Sequence, residues 1–76
     1  MDRVRVFLRT ALFTVSGEIR HAPEGAVIVE GRVREILAGG LILEVSVWRR
    51  EDGRVLDAPA ATIYLPSAKI DHVLLQ

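Results

Sequence analysis

The sequence predicts a mostly β (α+β) domain, with a small barrel-like antiparallel sheet of five or six short strands and one short helix near residues 31–38. Apolar and polar residues alternate in several segments, and this period of two is typical of half-buried strands. Turn signals that contain Gly or Pro separate these segments. The chain has 76 residues, a length that fits a single β-rich domain over residues 1–76.

The first predicted strand alternates between apolar and arginine side chains. Successive side chains of a strand point to opposite faces of the sheet, so one set should be buried and the other exposed. The set predicted to be buried is Val4, Val6 and Leu8. The opposite face carries Arg3, Arg5, Phe7 and Arg9.

A second alternating segment runs from Leu12 to about His21. We expect it to form a hairpin with the first strand, with the turn around Thr10 and Ala11. Pro23-Glu24-Gly25 then breaks the chain, because Pro and Gly are the strongest local signals for a turn.

Residues 26–38 fit two different structures. Val33, Ile36 and Leu37 stand at i, i+3 and i+4, and Gly39-Gly40 follows where a helix C-cap is expected. This spacing predicts a short helix from about Gly31 to Ala38, although no Ser, Thr, Asp or Asn caps its N-terminus. The alternative is a continuous strand, whose residues on one face would be Val27, Val29, Gly31 and Val33.

The clearest strand pattern of the chain begins at residue 41. One predicted face consists of Leu41, Leu43, Val45 and Val47, and the other of Ile42, Glu44, Ser46 and Trp48. Glu51-Asp52-Gly53 predicts a hairpin turn, and a returning strand near Arg54 is interrupted at Pro59. Two further strands are predicted from Ala60 to Leu65 and from Ile70 to Leu75, with a turn at Pro66-Ser67 between them.

The alternating patterns together predict the hydrophobic core. Its predicted members are Val4, Val6, Leu8, Val15, Ile19, Leu41, Leu43, Val45, Val47, Ile63, Leu65 and Ile70.

Composition bounds the function. Ten basic and ten acidic residues give a net charge of zero, whereas dedicated nucleic-acid-binding domains usually carry a surplus of positive charge. Half of the residues are hydrophobic, which is more than so small a domain can bury by itself, so we expect a homodimer or higher oligomer. The chain has no cysteine, no long apolar run and no secretory pattern, and we therefore expect a cytoplasmic protein without membrane contact.

Two surfaces are candidates for function. Strands with apolar residues on both faces predict a protein interface. The candidate residues come from the strand that begins at residue 41 and from the last strand, and they are Trp48, Ile42, Val73 and Leu75. Trp48 has a second interpretation as a residue that covers the end of the core under the predicted helix. A basic strand with an interleaved aromatic residue can bind nucleic acid, and the candidates are Arg3, Arg5, Phe7 and Arg9. The alternative for these four is a solvated edge strand protected by its charge.

The sequence contains no pattern that predicts catalysis, a metal site or a bound cofactor. His21 and His72 could form a metal or hydrolase site only if they converged across strands. Asp71 and His72 are adjacent on a predicted strand, so their side chains are expected to point to opposite faces and not to pair.

The chain resembles two families. Val4-x-Val6-x-Leu8, Val15-x-Gly17-x-Ile19 and the closing pair Ile63 to Leu65 and Lys69 to Val73 resemble the strands of Sm-like small barrels. That resemblance implies a small barrel, and the RNA-contacting signatures of the Sm family, an Asp-x-x-Met-Asn run and an Arg-Gly pair, are not matched.

The second resemblance is to a family of small bacterial domains of unknown function. It rests on Gly17-Glu18-Ile19, the stretch from Arg32 to Ala38, and Ile70-Asp71-His72-Val73. It implies a short helix at the second of these segments and brings no activity with it.

These observations predict a non-enzymatic homo-oligomeric interaction module that needs no cofactor. The alternative is an Sm-like small barrel that binds RNA or single-stranded nucleic acid, which the neutral net charge disfavours. An enzyme is the third and least favoured hypothesis.

Overall fold

The computed structural model describes residues 2–12 and 23–76 as a curled antiparallel sheet with the form of a half-barrel. Its strands are β1 (Arg3–Leu8), β2 (Ile28–Leu37), β3 (Gly40–Arg49), β4 (Val55–Leu56), β5 (Ala61–Pro66) and β6 (Ile70–Leu75). A 3-10 turn, Ser67–Lys69, joins β5 to β6. The predicted mostly β fold with five or six antiparallel strands is confirmed.

The strands lie in the order β4-β3-β2-β1-β6, and β5 also pairs with β3. β4 pairs with Trp48 and Arg49 of β3, and β5 pairs with residues 40–45 of the same strand. β1 pairs with β2 on one edge and with β6 on the other, where the sequence predicted the segment that follows β1 as its neighbour. Beyond Leu12, that predicted strand lies outside the described residues. The amide of Leu12 donates to the carbonyl of Ala26, and the amide of Gly25 donates to the carbonyl of Leu12.

The predicted turns at Pro23-Glu24-Gly25 and Glu51-Asp52-Gly53 are confirmed. Gly25 and Gly53 have φ angles of 91° and 87°, which glycine adopts without steric cost. In the second turn, the amide of Arg54 donates to Oδ1 of Asp52 at 2.9 Å. The conformation of both turns is set by local chemistry, and this explains why the sequence identified them.

The predicted helix over residues 31–38 is wrong, because these residues belong to β2 and to the turn that follows it. Val33 is buried, whereas Ile36 is 67% exposed and Leu37 is 39% exposed, so the three residues form no common buried stripe. Gly40 pairs with Leu37 across a hairpin turn and does not follow a helix end. The backbone pairing of β2 with β1 and β3 outweighs the weak helical spacing, which also lacked an N-terminal cap.

Gly31 shows how closely β2 and β3 approach. A Cβ atom at this position would overlap the backbone carbonyl of Glu44 on β3. The alternative prediction of a continuous strand is confirmed for Val29, Gly31 and Val33, which are buried in β2, whereas Val27 lies before this strand and is half-buried. The glycine permits the close approach of β2 and β3.

A β-bulge in β3 reverses the predicted faces of its second half. Glu30 of β2 pairs with Val47, and the next residue of β2 pairs with Val45, so Ser46 is an extra residue that no residue of β2 opposes. Beyond such a bulge the alternation changes phase. Val47 consequently moves to the face opposite the core, and Trp48 turns into the core, contrary to the faces predicted for both.

The core lies on the concave face of the sheet. Its buried apolar members are Val4, Val6, Leu8, Ala26, Val29, Val33, Leu43, Val45, Trp48 and Leu65. Of the predicted core residues, Leu41, Val47, Ile63 and Ile70 are half-buried. Val15 and Ile19 lie outside the described residues.

In residues 2–12 and 23–76, no helix has the length and apolar character needed to cross a bilayer.

Candidate functional site

The face opposite the core, called the outer face below, carries side chains in cross-strand rows, three of which include residues of β1. Residues in direct register on antiparallel strands share a face and lie side by side. The first row is Arg3, Arg32, Glu44 and Thr62. The second row is Leu74, Arg5, Glu30 and Val47. The third row is His72, Phe7, Ile28, Arg49 and Val55.

Glu30 is the only buried charged residue among the described residues, with 6% of its surface exposed. One carboxylate oxygen, Oε2, accepts hydrogen bonds from Nε of Arg5 at 3.0 Å and from Nε of Arg49 at 2.6 Å. Burial raises the pKa of Glu30, but the hydrogen bonds and charges of Arg49 and Arg5 together outweigh it and lower the pKa below 4.5. This cluster of three side chains links β1, β2 and β3 across the outer face.

Phe7 and His72 stack face to face at the other end of the outer face. Their ring centroids are 4.2 Å apart and the planes differ by 8°. Nδ1 of His72 also lies 2.7 Å from Oδ2 of Asp71, so the prediction that these neighbours could not pair is wrong. Asp71 is an extra residue at a register shift between β1 and β6, and a bulge of this kind re-aims side chains that would otherwise alternate.

The possible site formed by His21 and His72 stays a hypothesis, because His21 lies outside the described residues. Within residues 2–12 and 23–76, no three His, Asp or Glu side chains are placed to hold one metal ion.

The predicted interface residues separate into two groups. Trp48 is completely buried, and its Nε1 donates to the carbonyl of Pro59 at 3.1 Å, so the interpretation as a core residue is the correct one and Trp48 is not a surface anchor. Ile42 is half-buried in β3. Val73 and Leu75 lie together on β6 and are 37% and 78% exposed.

The four residues of the predicted nucleic-acid face differ in their partners. Nη2 of Arg3 donates to Oγ of Ser46 at 3.1 Å, and Nε of Arg9 donates to the carbonyl of Ile70 at 3.2 Å. Neither contact neutralises a charge. Arg5 is paired with Glu30, and one face of Phe7 is covered by His72. The four predicted residues do lie along one strand, but only Arg3 and Arg9 present an uncompensated charge within the described part of the chain.

β6 forms one lateral boundary of the sheet. It pairs with β1 along one edge, and no other described strand pairs with its second edge. The amide of Gln76 donates to the carbonyl of Arg3 at 3.1 Å. Because amides alternate in direction along a strand, the amide of Leu75 points to the free edge.

Comparison with protein-family models, with curated proteins and with solved structures finds no match for this chain. The resemblances to Sm-like barrels and to a family of small bacterial domains therefore stay predictions.

The Glu30 cluster was missed by sequence reasoning. A single acidic residue between Val29 and Gly31 is a weak signal, and a helix that begins at Gly31 gives Glu30 no neighbour on an adjacent strand. Once residues 28–37 are treated as a strand next to β1, a lone Glu opposite an Arg-rich strand indicates an ion pair across the sheet.

Proposed function

We propose that this chain is a non-enzymatic interaction module that forms homo-oligomers through the free edge of β6. The observation that carries the proposal is the exposure of three consecutive apolar residues on this strand: Val73 is 37% exposed, Leu74 is 49% exposed and Leu75 is 78% exposed. An exposed apolar edge strand is a template for pairing with another chain. The cytoplasmic location predicted from the sequence is part of this proposal.

The bulge at Asp71 brings three apolar side chains of β6 to the same face of the sheet. Ile70, Val73 and Leu75 pair with Leu8, Val6 and Val4 of the core face, although strict alternation would place Ile70 with Leu74. Three apolar side chains of β6 therefore extend the apolar surface of the concave face. Their exposure increases from Ile70 to Leu75. A partner on this edge would bury both the free backbone groups and these side chains.

A second copy of the chain suits this edge. When two β6 strands pair antiparallel about a twofold axis at Leu74, this residue opposes its own copy, and Val73 opposes Leu75 of the second copy. The charged residue of β6 in this contact, Asp71, lies toward the end of the strand. A chain with zero net charge adds little overall electrostatic repulsion on self-association, and twofold dimers are the commonest oligomers.

Sedimentation velocity from about 1 to 500 µM tests the proposal. We expect a concentration-dependent dimer for the unchanged chain, and a monomer for Leu75→Lys, because a charged side chain at the edge prevents pairing. Ile36→Lys is the matched control: Ile36 is 67% exposed, but it lies on β2, so this variant should still dimerise. A monomer over the whole range for the unchanged chain would refute the proposal, as would dimers that tolerate Leu75→Lys.

A second candidate function is the binding of RNA or single-stranded nucleic acid by an Sm-like barrel. Arg3 and Arg9 favour it, because neither forms an ion pair among the described residues. The neutral charge of the chain and the pairing of Arg5 with Glu30 disfavour it. We expect short oligonucleotides to bind weakly or not at all. Micromolar affinity that falls steeply with salt and is lost in both Arg9→Ala and Phe7→Ala would reverse this ranking.

A further inference from the structure

We infer that the first row of the outer face forms a binding site for the phosphate group of a small molecule. The row borders a cleft of about 450 Å³, which is within the size range of small-molecule pockets. Its lining includes two arginines, Arg3 and Arg32, and two hydroxyl side chains, Ser46 and Thr62. This inference does not depend on self-association and uses a part of the surface away from β6.

The two arginines are direct cross-strand neighbours. Arg3 of β1 is in register with Arg32 of β2, and like charges in this position destabilise a sheet. Neither guanidinium forms an ion pair with a carboxylate among the described residues. An anion between them would remove the repulsion, and the planar guanidinium matches phosphate oxygens in a bidentate manner.

Ser46 supplies one hydroxyl of the cleft. It is the extra residue of the bulge in β3, and its side chain is exposed on the outer face, as alternation from the buried Val45 predicts. Its Oγ accepts a hydrogen bond from Nη2 of Arg3 at 3.1 Å and lies 3.5 Å from the carbonyl oxygen of Glu30.

The opposite wall of the cleft is made by the start of β5. Ala60 and Ala61 have small side chains, and Thr62 adds a hydroxyl in register with Glu44. This wall leaves room beside the arginines, so a molecule larger than a phosphate ion can enter.

Glu44 opposes anion binding and limits its strength. It also lines the cleft, but its Oε2 lies 3.9 Å from Nε of Arg34. Arg34 is an extra residue of β2 that no residue of β3 opposes. The row keeps two positive charges against one negative charge, and we expect a weak site, with a dissociation constant near the millimolar range for a single phosphate group.

The test is a titration of the ¹⁵N-labelled chain with pyrophosphate at constant ionic strength, with chloride as the competing salt. We expect saturable amide shifts centred on Arg3, Arg32, Ser46 and Thr62. Arg32→Ala should weaken binding at least about fivefold, and Glu44→Gln should strengthen it about two- to fivefold, the range expected for one exposed charge pair. Arg50→Ala is the matched control, because Arg50 is an exposed arginine outside the cleft, and it should leave the affinity unchanged.

Other outcomes overturn the inference. Shifts of equal size at Arg50 and Arg54 would show that pyrophosphate meets surface charge without a site. An unchanged affinity in Arg32→Ala would exclude this cleft. A parallel titration with a short single-stranded oligonucleotide separates the two sources of phosphate: binding of the oligonucleotide without binding of pyrophosphate would replace the small-molecule site by a nucleic-acid surface.

Discussion

Leu43 is the residue whose side chain contributes most clearly to the stability of the core. It is completely buried and pairs with Val33 on one side and Ile63 on the other. We expect Leu43→Ala to lower the free energy of unfolding by about 2–5 kcal/mol, since it removes apolar contacts and leaves a cavity. Urea denaturation measures the change. Val55→Ala is the control, because Val55 is 55% exposed, and a comparable loss there would contradict this assignment of the core.

Glu30 gives the protein a predicted dependence of stability on pH. Because its pKa is below 4.5 in the folded state, the unfolded chain binds its proton first as the pH falls. The stabilising contribution of Glu30 is therefore fully present above about pH 4.5, its ordinary value, and is lost as the pH falls through the lower folded-state pKa.

The variant Glu30→Gln tests this assignment. At pH 7 we expect it to lower the free energy of unfolding by roughly 1–3 kcal/mol, because Arg5 and Arg49 lose a charged acceptor. Below pH 4 the difference from the unchanged chain should shrink. Glu35→Gln, at an exposed position of the same strand, should have little effect at pH 7. A difference between Glu30→Gln and the unchanged chain that stays constant from pH 7 to pH 3 would contradict the role given to the charge.

At the scale of elements, β2 depends on a glycine at one position. The backbone of Glu44 occupies the space of a Cβ at Gly31, whereas a Cβ at Gly39 would meet only the hydroxyl of Tyr64 at 3.2 Å. We expect Gly31→Ala to destabilise the fold by at least about 1–3 kcal/mol, because the overlap forces strand backbones apart. Gly39→Ala should cost much less, since the end of the Tyr64 side chain can move. Equal thermal stability of the two variants would contradict the close pairing of β2 and β3.

The bulges are the elements that determine where side chains point. The extra residue Ser46 sends Val47 outward and Trp48 inward, and Asp71 brings Ile70 to the face of Val73. Backbone chemical shifts should report extended conformation over residues 31–37 except at the extra residue Arg34, and irregular values at all three bulges, Arg34, Ser46 and Asp71. Helical shifts over residues 31–38 would contradict the structure.

At the scale of the whole molecule, the half-barrel leaves apolar surface at one boundary. If β6 pairs with a second copy, dimerisation adds to the stability of the fold by mass action. We expect the thermal midpoint to rise with protein concentration over the micromolar range, and to become independent of concentration in Leu75→Lys. A midpoint that does not change with concentration in the unchanged chain would show that β6 contributes nothing to stability through association.

Features that depend on neighbouring residues could be predicted from the sequence. Alternation identified β1 with Val4, Val6 and Leu8 buried, and it located the β5 and β6 strands. Asp52-Gly53 predicted the turn after β3 because the required conformation is local and favours glycine.

Features that depend on distant partners are established by the folded chain. Residues 31–37 join a strand because β1 and β3 supply pairing on both sides, which outweighs a weak helical spacing. The burial of Trp48 and the Asp71–His72 contact follow from bulges, whose position is fixed by the opposing strand and not by the bulged residues alone. For the same reason, the sequence pattern indicated a basic strand, but the Glu30 cluster and the pair of Arg3 and Arg32 required the register between strands, since cross-strand neighbours are far apart in the chain.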